Sequence, residues 1–244
     1  MTADVQTARP APPPARKRRR RPWGLFTLAF VTLALLIFSV WAYVPPDIET
    51  SRADMHGDQV RYGFLVAHIA FGTVATVAGL LQFWPVLRSR HPRFHRWTGR
   101  AYFYLGIFPA ALLAVPVTLW AEQGVGNQSA LLMTTILWVV TGVAGLRATL
   151  GRRYGDHRKW MIRNYAITLS ILFSRLWAGP LYFVVFSQEN SRVYQGNEVA
   201  MIHDMASAGA WLALVVNLLV AEWYIMRKYG GRRAQPVRPT SPAS

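Results

Sequence analysis

The stretch YGFLVAHIAFGTVATVAGLLQFWPVL, Tyr62–Leu87, holds no Asp, Glu, Lys or Arg, although Arg61 and Arg88 stand directly at its two ends. A helix that crosses a bilayer needs about 20 predominantly apolar residues, and here His68 and Gln82 are the main interruptions. Apolar and polar positions do not alternate with period two, which argues against a membrane β-strand. The stretch reads as a spanning helix, and the fold turns on how many more like it the chain contains.

Working outward, five further runs have the same character: Trp23–Val44 before it, then Ala101–Ala121, Gln128–Leu146, Asn164–Ser187 and Met205–Met226. The fifth span carries Arg175 and the sixth carries Glu222. The composition agrees, with 52% hydrophobic and 16% charged residues, against about 25% charged in a soluble domain. The first run exceeds the apolar core of a signal peptide, about 7–15 residues, and reads as an uncleaved anchor. The absence of Cys excludes disulfides and thiolate metal sites.

The net charge of +16 would suggest nucleic acid if it lay on one soluble face. It lies instead in blocks between the spans. With the N-terminus inside, the segment 1–22, the loops Arg88–Arg100 and Arg147–Arg163, and the end from Arg227 all fall on one side. Together they hold 23 of the 27 basic residues. The opposite loops hold Arg52, Arg61 and Arg192 together with eight of the eleven acids. Positive loops face the cytoplasm, so the charge reports threading and excludes a nucleic-acid partner. The expected architecture is all-α: a polytopic membrane helical bundle of six transmembrane helices, N-in/C-in, in the bacterial cytoplasmic (inner) membrane. Residues 23–229 form the membrane domain. Segments 1–22 and 230–244, rich in Pro and Arg, cannot bury a core and read as disordered. The run RKRRRR at 16–21 suits anionic headgroups. The acidic loop 45–61 is expected to pack as a short cap.

Spans two and four end alike, in VAGLLQFWPVLRSR and VAGLRATLGRR. Each is followed by His-Arg near a Trp and then by another span, so the two hairpins read as two copies in parallel orientation. Gly72, Ala75 and Gly79 in the first copy, and Gly142 and Gly145 in the second, suit close helix approach.

The motifs HRWTGRAY, from His95, and HRKWMIRNYA, from His157, resemble those of the bacterial membrane-protein family known as domain of unknown function 2306. The resemblance covers about residues 60–185 and extends to the last span. It implies a polytopic membrane protein and no particular activity. The arrangement is also loosely similar to the two-haem transmembrane cytochromes b, though the fourth span has no His.

Pro92 suits the first turn of a helix and Asp156 suits an N-cap. His95 and His157 are then expected in first turns at similar depth, facing each other across the bundle. Two facing imidazoles suit the axial positions of a b-type haem. Arg96, Arg158 and Arg163 could pair with its propionates. His68, in span two, and His203, just before span six, offer a second pair at the other side. Against this stands plain interfacial anchoring, because Arg, Trp and Tyr gather at membrane surfaces anyway. His56 reads as a loop residue and His91 as pointing to water.

Arg175 is expected near the bilayer middle, where a charge by default marks function. It could hold a propionate or a small anionic ligand, with Glu222 as its candidate acid, although Glu222 also suits an interfacial place beside Arg227. The sequence therefore offers three readings. One is a haem b electron carrier with His95 and His157 on the iron and a redox partner. Another is a transporter or small-ligand binder built on Arg175. The last is a non-catalytic protein whose partners are membrane lipids. It fixes no oligomeric state.

Overall fold

The structure is a computed structural model and describes residues 23–230. The expected disordered segments, 1–22 and 230–244, lie outside the described residues except for Gly230. The chain forms α1 (Trp23–Val40), a 3₁₀ turn (Trp41–Tyr43), α2 (Gln59–Gln82), α3 (Pro85–Arg90), α4 (Pro92–Ala101), a π-helical stretch (Tyr102–Ile107), α5 (Phe108–Leu119), α6 (Gly124–Leu150), α7 (Tyr154–Phe186) and α8 (Glu198–Tyr229). Since α4, the π stretch and α5 run on as one rod, Pro92–Leu119, six rods are long and apolar enough to cross a membrane. There is no strand among the described residues.

Local chemistry explains where the helices begin. The Asp58 carboxylate accepts from the Val60 and Arg61 amides at 2.8 and 3.1 Å and starts α2. The Asn197 side chain accepts from the Ala200 amide at 3.1 Å and starts α8. Both satisfy amides that have no partner within the helix. Asp156 does not cap α7, contrary to expectation. That helix begins at Tyr154, and Asp156 sits in its first turn, 3.8 Å from Lys159. The third and fifth rods begin at Pro92 and Tyr154, well before Ala101 and Asn164. Their first turns are basic and polar, so hydropathy does not register them, yet nothing in them interrupts the backbone ladder.

The π stretch has a cause in the sequence. Pro109 has no N–H to return to the preceding turn, and the ladder widens just before it.

The helix α7 lies at the centre, packed between α6 and α8 and touching α1 and α2; α2 in turn packs on α4, the π stretch and α5. Close approach is built on small residues. A Cβ on Gly106 would stand 2.9 Å from the Ala75 backbone, and one on Gly79 would stand 2.5 Å from the Tyr165 ring. A buried polar network pins the centre. The Tyr102 hydroxyl donates to Asn164 Oδ1 at 2.6 Å. Asn164 Nδ2 donates to the Trp138 carbonyl at 2.7 Å and to Thr141 Oγ1 at 2.8 Å. Trp138 Nε1 donates to Thr168 Oγ1 at 2.8 Å.

The first helix is peripheral. Phe30, Ile37 and Trp41 are 75%, 68% and 70% exposed, the apolar exterior that lipid covers. A shallow apolar groove between α1 and α2 is lined by Leu36, Ile37, Val40, Trp41 and Thr73. The acidic loop folds back as a cap, as expected. Thr50 Oγ1 donates to the Ala42 carbonyl at 2.9 Å, and the His56 ring bonds Glu122 Oε1 at 2.6 Å.

Candidate functional site

His95 and His157 occupy equivalent places. Each is the fourth residue of its helix, α4 from Pro92 and α7 from Tyr154. Each backbone amide closes the first helical bond, His95 to the His91 carbonyl and His157 to the Arg153 carbonyl, both at 3.0 Å. The preceding helix of each hairpin reaches across to this turn. In the first, Gln82 Nε2 donates to the His95 carbonyl at 3.1 Å and to Thr98 Oγ1 at 2.6 Å. In the second, the end of α6 holds the imidazole itself: His157 Nδ1 lies 2.9 Å from the Gly145 carbonyl and 2.6 Å from Thr149 Oγ1.

The difference matters chemically. A carbonyl accepts only, so the Gly145 bond places the ring proton on Nδ1 and leaves Nε2 of His157 with a free lone pair. Nδ1 of His95 is buried and has no hydrogen-bond partner. The two imidazoles are close enough for their charges to interact. Their helices do not provide this proximity by packing on each other: α4 packs on α2 and α3, whereas α7 packs on α6 and α8.

The arginines divide. Arg96 and Arg158 are exposed at this end, and Arg158 lies within electrostatic reach of His157. Arg88, which the motif reading passed over, lies within reach of His95. Arg163 is committed elsewhere. Its guanidinium grips Glu222 of α8 with two N–H groups, Nε to Oε1 and Nη2 to Oε2, the second at 3.0 Å. It also lies over the Trp160 ring at 4.9 Å. Glu222 therefore pairs with Arg163, not with Arg175.

Arg175 is not at the middle of the bundle. Counted from Tyr154 rather than Asn164, it stands about 32 Å along α7 at the helical rise of about 1.5 Å per residue, and about 27 Å beyond His157. Its Nε donates to Ser39 Oγ, near the end of α1, at 3.1 Å. It cannot share a ligand with His95 and His157. His68 Nδ1 bonds the Ala110 carbonyl at 2.8 Å. His203 lies inside α8, which starts earlier than expected, and α8 is not packed against α2. The structure thus gives His95 and His157 equivalent helix positions, on helices that do not pack on each other, and does not bring His68 to His203. Among the described residues no group of three or more His, Asp or Glu side chains could hold a metal ion.

Sequence reading missed Gln82, Thr149 and Arg88. Gln82 was visible as the polar residue that closes an otherwise apolar helix end.

The family model described as a predicted membrane protein, DUF2306, matches residues 65–225. The chain belongs to this family. The match to DUF2306 takes in His68, both His-Arg motifs, Arg163, Arg175, His203 and Glu222, and leaves out α1 and the acidic loop. No curated protein matches the chain, and no solved structure does. Membership of DUF2306 carries a membrane location and no assigned chemistry.

Proposed function

We propose that this DUF2306 protein is a bacterial inner-membrane protein, with both termini in the cytoplasm, that holds one b-type haem between His95 and His157 and passes electrons at that end of the bundle. One observation carries the reading. Two half-buried imidazoles from equivalent helix positions stand within electrostatic reach, one with a carbonyl-anchored Nδ1 and one with a buried ring nitrogen that lacks a partner. A carbonyl bond to the far nitrogen is the usual way a protein orients a ligating histidine. Iron coordination would give the unpartnered His95 ring the bond it lacks.

The residues present fit such a group. His95 and His157 would ligate the iron, and Arg96, Arg158 and Arg88 would face the propionates as charge-assisted donors. Bound there, haem would supply a one-electron couple. The protein's own part is to fix the His157 tautomer through Gly145 and Thr149 and to hold the His95 turn through Gln82. The threading rests on the distribution of Lys and Arg among the loops.

The competing reading is a lipid-anchoring surface, favoured by the outward face of α4, where Arg93, Arg96, Trp97 and Arg100 are exposed. A visible spectrum separates the two. Protein purified in mild detergent from haem-replete cells should be coloured, with bands that sharpen on reduction. His95→Ala and His157→Ala should each abolish them, while His91→Ala and His203→Ala should leave them unchanged. A folded, colourless, haem-free preparation would sink the haem reading and leave the anchoring one.

A further inference from the structure

The opposite end of the bundle carries two cations that have no counter-ion among the described residues. Arg52, in the acidic loop, donates through Nη2 to the Phe38 carbonyl at 2.8 Å, and its guanidinium carbon stands 4.5 Å from the Phe38 ring centre. Arg175, from α7, donates through Nε to the neighbouring residue, Ser39, at 3.1 Å. Both guanidinium groups are thus tied to consecutive residues in the last turn of α1, and their charges are close enough to interact. Among the described residues no carboxylate lies within ion-pair distance of either. Only one N–H of each has a partner, although a guanidinium carries several in a planar fork.

The C-terminus of α1 does not balance them. A helix end presents a partial negative charge of about half an electron, against two full positive charges. The remaining free donors are of the geometry that matches a phosphate. Their depth names the source. Trp41 and Tyr43 follow directly in the 3₁₀ turn, and aromatic residues of this kind mark the headgroup level. The flank of α1 at this point opens to lipid, with Phe38 and Arg175 both exposed.

We infer that Arg52 and Arg175 form a binding site for the phosphate of an anionic phospholipid, clamped between the end of α1 and α7 in the leaflet opposite the histidine pair. The single negative charge of the lipid phosphate offsets part of the two positive charges, and the lipid ties the peripheral first helix to the centre of the bundle. The site stands apart from the histidine chemistry and does not depend on it. Arg52 and Ser39 also lie outside the residues matched to the family, so the clamp joins the leading helix of this chain to the family's shared part.

The test uses the full-length protein in detergent, stripped of lipid and titrated with phosphatidylglycerol, with binding followed by native mass spectrometry. Arg52→Gln and Arg175→Gln should each weaken the tightest binding event about tenfold, the lower end for hydrogen bonds to a charged group. Arg152→Gln/Arg153→Gln removes two charges from the other end and should stay within about twofold. Arg52 lies in a loop outside any helix, so its loss of affinity remains readable even where Arg175→Gln proves too unstable to purify. Inorganic phosphate competing at millimolar concentration would identify a free anion as the source, whereas no competition identifies the lipid. Clamp variants binding as the wild type does, or a comparator variant losing as much as they do, overturns the site.

Discussion

Replacing Asn164 by Leu tests what holds the centre of the bundle together. Asn164 is fully buried on α7. It accepts from the Tyr102 hydroxyl at 2.6 Å and donates to the Trp138 carbonyl and Thr141 Oγ1 at 2.7 and 2.8 Å. The substitution removes three bonds between helices. None of the abandoned groups is left without a partner. Tyr102 can turn its proton to Thr168 Oγ1, already 3.0 Å away, and Thr141 Oγ1 keeps its bond to the Leu137 carbonyl at 2.7 Å. The large penalty for an orphaned buried donor therefore does not apply. At about 0.6 kcal/mol for a typical hydrogen bond between membrane helices, the loss should be about 2 kcal/mol, with a ceiling near 5 kcal/mol if each bond were as strong as the best measured.

The assay is reversible unfolding in mixed micelles of mild detergent and dodecyl sulfate, followed by tryptophan fluorescence. Asn217→Leu is the internal comparison. Its amide makes longer bonds, 3.2 Å to the Ala166 carbonyl and 3.4 Å to Ser170 Oγ, and its loss should stay below about 1 kcal/mol. Tyr102→Phe combined with Asn164→Leu should cost less than the sum of the two single changes, because they share a bond. Stability unchanged in Asn164→Leu, or equal losses at Asn164 and Asn217, would refute the view that this network carries the packing.

Gly106→Val should cost about 1–3 kcal/mol in the same assay, because even a Cβ would meet the Ala75 backbone at 2.9 Å. Gly72→Ala, with nothing within 4 Å of the added atom, should be near neutral, and similar costs at both positions would contradict the close approach. Glu222→Gln breaks the two-pronged grip on Arg163. Because the pair is 24% and 39% exposed, the loss should be about 1 kcal/mol, nearer the surface range than the buried one, and it should shrink when Arg163 is replaced as well. His56 should titrate above its ordinary 6.5, since the bond to Glu122 and then the charge of Asp54 favour its protonated form. A folded-state value that is raised stabilises the loop fully below 6.5, and that contribution disappears as pH climbs through the raised value. In ¹H–¹⁵N spectra the His56 midpoint should fall toward 6.5 in Glu122→Gln; a midpoint unmoved by that change would remove the contact.

The six spans were legible because lipid imposes them: without water, backbone groups must be satisfied within the helix, and about 20 apolar residues must follow one another. The starts of the third and fifth rods were not legible by that rule. Residues 92–100 and 154–163 are too polar to register as membrane yet continue the helix, with Arg93, Arg96, Trp97, Arg100 and Arg158 exposed. One consequence was the misplaced depth of Arg175. Depth counted from the start of the apolar run at Asn164 puts that charge mid-bilayer, whereas its bond to Ser39 puts it beside the end of α1. The Tyr102–Asn164–Trp138 network was invisible for a different reason. Its members lie on three rods, and only the packed register shows which polar residues meet. The pairing of Arg163 with Glu222 needed the same information, since the sequence offered Arg175 and Arg227 as neighbours of Glu222 and Arg163 only as a propionate partner.

The two hairpins differ where their likeness matters most. Both bring a histidine to the fourth position of a helix, and both let the preceding helix reach over that turn. The first spends its contact on the His95 backbone, through Gln82, and leaves the ring free. The second spends it on the His157 ring, through Gly145 and Thr149, and so fixes the tautomer. The first hairpin also inserts α3 before its histidine, where the second has only the turn at Gly151–Arg153. Nδ1 of His95 shares its lack of a partner with the hydroxyls of Thr32 and Tyr62, so the matching helix positions of His95 and His157, and not the missing bond alone, set this end apart. On the proposed reading, a ligand would bond the His95 ring on one side and the carbonyl-anchored His157 ring on the other. That asymmetry, more than the repeated His-Arg motif, makes the histidine end the place to look for this protein's chemistry.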